Sequence, residues 1–220
     1  GFLVVALFWA MLGLGGALPF LVGSNLHLGF TDSVFESVAG VTTTNASVVP
    51  ALDRLSHALL WYRQQLQWLG GIGVIVLAVA LFPILGIGGM QLYRGDSPGS
   101  VKDEKLTPRI KETARTLSGI YLLITLACAL AYNIAGMGPF DALTHAFSTV
   151  STGGFSTHDN SIAYFNSVAI EMVIIVATVT GAINYASHFA AVRNRSLKSY
   201  WRDEECRVML VVLGGSIIAA

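Results

Sequence analysis

Two runs rich in small residues, TTTNASVV from Thr42 and STGGFSTH from Ser151, have a composition suited to binding a cation through backbone carbonyls. Each run follows a half-apolar stretch of ten residues, at 32–41 and 141–150, that is too short to cross a membrane. A short helix ends with partial negative charge on its free carbonyl groups, which favours a cation beyond it. Small side chains let the backbone carbonyls that follow face a shared space, where they can replace the hydration shell of a potassium ion. The pattern therefore predicts two cation-binding pore loops.

The same residue types are also ordinary in loops, and a short amphipathic helix can rest at a membrane surface. Pattern alone leaves both interpretations open. Shifting the sequence by 109 residues lays Asp32 on Asp141, Val41 on Val150, Thr43 on Thr152 and Ser47 on Ser156. Non-helical backbone inside a membrane survives only where it lines a cavity, and many transport folds are duplicated. Repetition at the same place therefore favours pore loops over surface helices.

The segments that must position these loops are strongly apolar. The chain is 54% hydrophobic and 12% charged with a mean hydropathy of +0.64, whereas soluble domains carry about 25% charged residues. Four almost uncharged runs have the length of about 20 residues that spans a hydrocarbon core of about 30 Å. These predicted spans are residues 2–22, 68–88, 116–137 and 167–189. A fifth run from Val208 stops at Ala220, and no Met begins the chain, so we expect a piece of a longer protein.

Basic residues mark the side of the membrane on which each loop lies. Six of the 13 Lys and Arg residues follow the second span and five follow the fourth, while the other two loops contain only Arg54 and Arg63. The positive-inside rule then places the N-terminus and both basic linkers in the cytoplasm and both pore loops outside. The predicted fold class is an all-α polytopic membrane protein with repeated helix, pore loop, helix units around a pore. Its divisions are unit 1–93, linker 94–115, unit 116–192, linker 193–207 and the start of a third unit at 208–220.

Longer stretches of the sequence resemble one known family. These are QWLGGIGVIVLAVALFPILGIGGMQLYR from Gln67, SPGSVKDEKLTPRIKETARTL from Ser97, FSTVSTGGFSTHDNSI from Phe147 and SLKSYWRDEE from Ser196. Together they resemble the TrkH/TrkG potassium uptake proteins of the superfamily of K+ transporters, which is related to KtrB. The resemblance covers essentially the whole chain. It implies potassium uptake across the bacterial inner membrane without enzymatic chemistry, by four units around one pore, of which this chain holds two and the opening of a third.

The resemblance also implies which residues bind the ion and which partners assist. Each unit would contribute one filter segment with a central glycine, and the matching positions are Thr42, Thr43, Thr44, Asn45, Ser151, Thr152, Gly153 and Gly154. The implied K+ ligands are Thr43, Thr44, Thr152 and Gly153. Potassium would be the transported ion and no cofactor is expected. The implied partners are membrane lipid, a second copy in a homodimer and a cytoplasmic nucleotide-binding regulatory subunit of TrkA type, with no nucleic acid.

Asn45 departs from the family pattern, because it stands where the pattern has glycine. Asparagine is among the least unfavourable residues in a left-handed backbone conformation, so the turn can persist. Its amide would narrow the ring of ligands or offer its own oxygen to the ion. The alternative prediction is therefore a Na+-permeable or poorly selective relative.

Four charged or titratable residues in the loops receive structural interpretations. Glu36 is an acidic residue in the first half-apolar stretch, and we predict that it anchors the loop by hydrogen bonds rather than attracting cations. His145 has the same offset in the second stretch and is expected to pack and hydrogen-bond locally. Asp32 and Asp141 are predicted N-caps.

The remaining candidates argue against other classes of function. Asp159 is predicted to be a solvated rim residue that adds modest attraction for cations. The glycine clusters of the second span suit close helix packing better than nucleotide binding, because no strand, turn and helix unit surrounds them. The five His residues lack metal-ligand spacing. A membrane-embedded enzyme is the rival from another class, but the polar residues cluster in loops rather than in paired catalytic arrangements within spans.

Overall fold

A computed structural model of the chain describes residues 2–23, 26, 28–85 and 102–219. All regular secondary structure in those ranges is helical, which agrees with the predicted all-α class. The first predicted unit contains α1 (Phe2–Gly15), α2 (Leu18–Val22), α3 (Phe30–Val41) and α4 (His57–Leu85). The second contains α5 (Lys102–Ile134), α6 (Pro139–Val150), α7 (Val168–Ala182) and α8 (Tyr185–Asn194), followed by α9 (Lys198–Arg202) and α10 (Glu204–Ala219).

The first predicted span, 2–22, is not one helix, because a turn at Gly16 and Ala17 separates α1 from α2. Pro19 lies in the first turn of α2, where its missing N–H costs nothing. The Tyr62 hydroxyl donates to the carbonyl of Gly16 at 2.9 Å and so satisfies one group freed by the break. The first predicted span is therefore divided between two helices.

The second span begins earlier than predicted, at His57 rather than at residue 68. Its first turns carry polar residues that are nevertheless fully buried, among them Arg63, Gln64 and Gln67. Hydropathy could not include them in a span, because their burial depends on partners in other segments. Residues 86–88 of the predicted span lie outside the described residues.

The fourth predicted span, 167–189, is bent by 91° between α7 and α8. The side chain of Asn184 caps α8 by accepting a hydrogen bond from the Ala186 N–H at 2.9 Å, so this polar residue ends one helix and starts another. The third predicted span ends at Ile134 rather than residue 137, since Gly136 has a φ of 109°. Among the described residues, Glu112–Ile134 alone is long and apolar enough to cross a membrane as a single helix, and α7 with α8 qualifies only as a bent pair.

Helix α4 packs between the two units. Trp61 and Trp68 of α4 contact the ring of Phe147 in α6, with ring centroids 5.1 and 5.5 Å apart. Trp68 also packs against the buried cluster of the second unit, which includes Tyr132 and Ile170. The pore loops that follow α3 and α6 are therefore held by one shared helix.

Candidate ion-filter site

The two predicted filter segments follow α3 and α6 with the same backbone conformation. In the first filter segment, residues 42–45, Thr43 and Asn45 have φ angles of 55° and 62°. In the second, residues 151–154, Thr152 and Gly154 have φ angles of 54° and 84°. Left-handed conformations are uncommon for residues other than glycine, so their recurrence at matching positions marks a repeated turn. Asn45 adopts the left-handed conformation that the sequence predicted it could.

Each pore helix ends in the same hydrogen-bonded cap. After α3, the N–H of Thr43 donates to the carbonyl of Gly40 at 3.1 Å and that of Thr44 to Ala39 at 3.0 Å. After α6, the matching bonds run from Thr152 to Thr149 at 3.0 Å and from Gly153 to Ser148 at 2.8 Å. This paired pattern is the Schellman motif, which requires one left-handed residue just past the helix. The cap turns the chain sharply and starts both filter segments.

The N-termini of the pore helices differ from the prediction. The N-caps are Gly29 and Gly138, while Asp32 and Asp141 lie in the first turn and make no capping hydrogen bond. The N-cap prediction is therefore wrong, because the N-cap residue of each helix lies three residues before the Asp. The Asp141 carboxylate instead accepts from the Thr157 hydroxyl at 2.8 Å and so holds the chain beyond the second filter segment.

The two filter segments lie against each other. A Cβ atom placed on Gly154 would lie 2.7 Å from the side-chain amide nitrogen of Asn45. Within the residues that the structure describes, no hydrogen-bond donor reaches the carbonyl oxygens of Thr43, Thr44, Thr152 or Gly153. Buried backbone carbonyls are strong acceptors that are normally paired. These four carbonyls lie near the contact between Asn45 and Gly154, and they can accept a cation or water.

Glycines let the helix that follows each pore loop, α4 or α7, approach the preceding pore helix, α3 or α6. A Cβ on Gly70 of α4 would collide with the carbonyl oxygen of Val41, the last residue of α3. A Cβ on Gly181 of α7 would lie 2.7 Å from the carbonyl oxygen of Val150, the last residue of α6. The predicted packing role of the span glycines is confirmed at Gly70, whereas Gly86, Gly88 and Gly89 lie outside the described residues.

A buried ion pair anchors the first filter segment. The Arg63 guanidinium lies 2.8 Å from a Glu36 carboxylate oxygen, and the two side chains are 1% and 0% exposed. The same carboxylate accepts from the Ser47 hydroxyl and the Val48 N–H, both at 3.0 Å. Glu36 therefore fixes the chain that leaves the filter segment, and its predicted role as an anchor is confirmed.

The second filter segment has a neutral anchor at the matching positions. His145 contacts the Ser156 hydroxyl through Nε2 at 3.0 Å and the Asp141 carbonyl through Nδ1 at 2.9 Å. The Ser148 hydroxyl donates to the carbonyl of Phe155 at 2.7 Å. The predicted packing and local hydrogen bonding of His145 are confirmed.

Comparisons with known proteins decide the family. The family described as "TrkH: Cation transport protein" matches residues 1–219. The chain belongs to the TrkH family. It is 55% identical to the Trk system potassium uptake protein TrkH of Escherichia coli (strain K12), over 96% of this chain and 44% of that protein. It is 45% identical to TrkG of the same strain, over 99% of this chain and 45% of that protein.

A solved structure of this family has the same fold. The crystal structure of the potassium transporter TrkH from Vibrio parahaemolyticus matches with a TM-score of 0.85 and 49% identity, covering 96% of this chain and 42% of that one. The chain therefore spans less than half the length of the TrkH relatives it matches. Membership of the TrkH family makes it part of a membrane protein.

The loops that follow the two filter segments are joined by polar contacts. The Asp53 carboxylate bonds to His158 at 2.6 Å, and this bond lowers the pKa of Asp53 below its ordinary value of 3.8. The Asp159 carboxylate accepts from the Leu52 N–H at 2.8 Å. Asp159 is exposed, as predicted for a rim residue, but it also connects the two loops.

Sequence reasoning missed two residues of this TrkH-type site, Arg63 and Gln67. Arg63 was predicted to be a basic residue of an outer loop, and that prediction is wrong because it lies buried in α4. The sequence did contain a signal for the burial of Arg63. Glu36 is an acidic residue in a stretch that the sequence predicts to enter the membrane, and a charge there requires a partner. Gln67 carried no comparable signal, because a neutral amide can be exposed or buried.

Proposed function

We propose that this chain moves K+ across the bacterial inner membrane as part of a Trk-type potassium uptake protein, and that backbone carbonyls of the two filter segments coordinate the ion. The proposed ligands are the carbonyls of Thr43, Thr44, Thr152 and Gly153. The observation that carries the proposal is that two loops with matching left-handed turns meet at Asn45 and Gly154 while those carbonyls accept no hydrogen bond among the described residues. The relatives' names, which state potassium uptake, support the identity of the ion.

The proposed mechanism needs no covalent chemistry. A K+ ion sheds water as carbonyl oxygens replace its hydration shell, and it leaves because each contact is individually weak. The C-terminal ends of α3 and α6 adjoin the filter segments and carry partial negative charge, which stabilises the dehydrated cation. Small side chains, including the glycines at 153 and 154, let the backbone approach closely.

The arrangement of the whole protein is proposed on the same basis. The chain would supply units at 1–93 and 116–192, linkers at 94–115 and 193–207, and the start of a third unit at 208–220. Its N-terminus would lie in the cytoplasm, since the basic linkers favour that side. The protein would form a homodimer, contact membrane lipid and bind a cytoplasmic nucleotide-binding subunit of TrkA type, while requiring neither a cofactor nor nucleic acid. These partners rest on family membership.

The proposal is tested by cation uptake into proteoliposomes that contain a full-length protein carrying this sequence. Gly154→Ala places a Cβ at a φ of 84° and against Asn45, so we expect K+ uptake to fall at least about tenfold. Gly119→Ala is the matched control, because a Cβ at Gly119 on α5 meets nothing within 4 Å. Wild-type uptake by Gly154→Ala, or uptake by the unmodified protein that does not distinguish K+ from Na+, would contradict the proposal.

A further inference from the structure

Two buried side chains of the first unit hold the loop that leaves the second filter segment. The Gln67 side-chain oxygen accepts from the Phe155 N–H at 3.1 Å, and Arg63 donates to the Ser156 carbonyl at 3.3 Å. Arg63 and Gln67 are four residues apart on α4 and therefore share one face of that helix. Both are almost fully buried, at 1% and 0% exposure, so water does not compete for these bonds. We call this pair the α4 clamp.

Gln67 also contacts the second filter segment itself. A Cβ atom on Gly153 would collide with the side-chain amide of Gln67. The backbone at Gly153 therefore rests directly on that amide, whose oxygen is fixed by Phe155 two residues further on. Because protein interiors are close-packed, a change in the shape of this amide must move the filter backbone.

Arg63 joins the two filter loops through one rigid group. Its guanidinium donates to Glu36 at 2.9 Å and Ser47 at 3.0 Å beyond the first filter segment, and to Ser156 beyond the second. Guanidinium is planar with five N–H donors in fixed directions, so bonds to both loops set the distance between them. The centroid of the Phe155 ring lies 4.5 Å from the guanidinium carbon, and this contact further restricts the position of the guanidinium.

We propose that Arg63 and Gln67 are positioning residues that set the spacing between the two filter segments and thereby the preference for K+ over Na+. The inference rests on the proposed function, because it presumes that the filter carbonyls coordinate K+. Neither residue touches the ion. Their effect is geometric, since a site that recognises its ligand must be held within about 0.5 Å of the productive arrangement by the side chains behind it.

The test is the ratio of K+ to Na+ permeability of the full-length protein in proteoliposomes, with expression and folding monitored separately. Gln67→Met fills a similar volume but cannot accept from Phe155, so we expect the ratio to fall about tenfold while cation flux persists. Arg63→Lys keeps a positive charge beside Glu36 but lacks the fork that reaches both loops, so we expect a fall of about threefold. The matched control is Gln65→Met on the same helix. Among the described residues, the Gln65 amide makes one hydrogen bond, which it accepts from the Trp61 indole N–H at 3.0 Å, and its removal should leave the ratio unchanged.

The outcomes separate this inference from the proposed function. If the unmodified protein moves no K+, or moves it without preference over Na+, the proposed function fails. If the unmodified protein prefers K+ and folded Gln67→Met retains that preference, the α4 clamp does not set selectivity and the inference is overturned. Should Gln67→Met fail to fold, Arg63→Lys decides: an unchanged ratio overturns the inference and a reduced ratio supports it.

Discussion

The two pore loops follow the same backbone path but are supported by different chemistry. A shift of 109 residues lays Glu36 on His145 and Ser47 on Ser156, and in both units the first residue hydrogen-bonds to the second. The first unit adds Arg63 and an ionic contact, whereas the second uses a ring nitrogen and a hydroxyl. The repeated feature is therefore the helix cap and its left-handed turn, which many side chains tolerate. This explains why the internal repeat is weak in sequence yet clear in geometry.

The contrast extends to the helix that follows each pore loop. Gly70 and Gly181 make equivalent contacts with the last carbonyl of their pore helices, and aligning them lays Arg63 on Ile174 and Gln67 on Thr178. Ile174 and Thr178 line a cavity of about 110 Å³ that His145 also lines. The positions that Arg63 and Gln67 occupy in the first unit therefore correspond in the second unit to residues that line a cavity. The comparison teaches that the loop of the second filter segment is held both by its own helix α6, through Ser148 and His145, and by the α4 clamp of the first unit.

The largest expected effect comes from breaking the ionic anchor. Arg63→Met leaves the Glu36 carboxylate buried without its cation, which costs about 3–5 kcal/mol in the free energy of unfolding. In the second unit His145→Ala removes hydrogen bonds and ring contacts with Tyr132 and Phe165 but leaves no unpaired charge, for about 1–3 kcal/mol. Thermal unfolding of the full-length protein in detergent compares the two. Equal losses would show that the ionic and neutral anchors contribute equally to stability. As a control, the double variant Glu36→Gln with Arg63→Met should recover part of the stability that Arg63→Met alone loses.

The glycine contacts offer a second comparison of the units. Gly70→Ala must displace the Val41 carbonyl and is expected to cost about 1–3 kcal/mol, since inserting a methyl into packed structure causes strain. Gly181→Ala meets Val150 at a longer distance and should cost less. The same unfolding measurement applies, with Gly119→Ala as the open control. A larger loss at Gly181 than at Gly70 would contradict the observed packing.

Asn45→Gly makes the first filter segment resemble the second at its matching position. The left-handed turn persists in glycine, while the amide that packs against Gly154 is removed. We expect a shift of a few-fold in K+/Na+ permeability ratio or an increase in K+ flux, measured in proteoliposomes. Unchanged selectivity and rate would show that Asn45 does not influence the ion.

The smallest expected effect concerns the contact between Asp53 and His158 in the loops that follow the two filter segments. The pKa of Asp53 is lowered in the folded protein, so this bond adds stability above the ordinary pKa of 3.8 and loses it as the pH falls through the lower folded value. Asp53→Asn should therefore unfold at a slightly lower temperature than the unmodified protein at pH 7. The difference should shrink as the pH is lowered below 3.8 and vanish once the carboxylate is protonated in the folded protein as well. A difference that persists there would assign the effect to shape rather than charge.

The sequence predicted the two repeated short helices and the turns after them, because a half-apolar stretch followed by a run of small residues is a local feature. It could not predict the breaks at Gly16 and Asn184, because each is stabilised by a partner distant in the chain, such as Tyr62 or Glu205. The α4 clamp was missed for the same reason. Arg63 and Gln67 lie outside any apolar run, and only the packed structure brings them to the filter. The sequence pattern identifies the segments that form the two filter loops, while tertiary contacts determine which polar residues support those loops.

The account depends most directly on where the cation binds. An experimental structure of the full-length protein with Rb+ or Tl+ in place of K+ would locate the ion by anomalous scattering. We predict ion density within coordinating distance of the carbonyl oxygens of Thr43, Thr44, Thr152 and Gly153. Ions located only elsewhere, with these four carbonyls bonded to protein donors, would contradict the central claim.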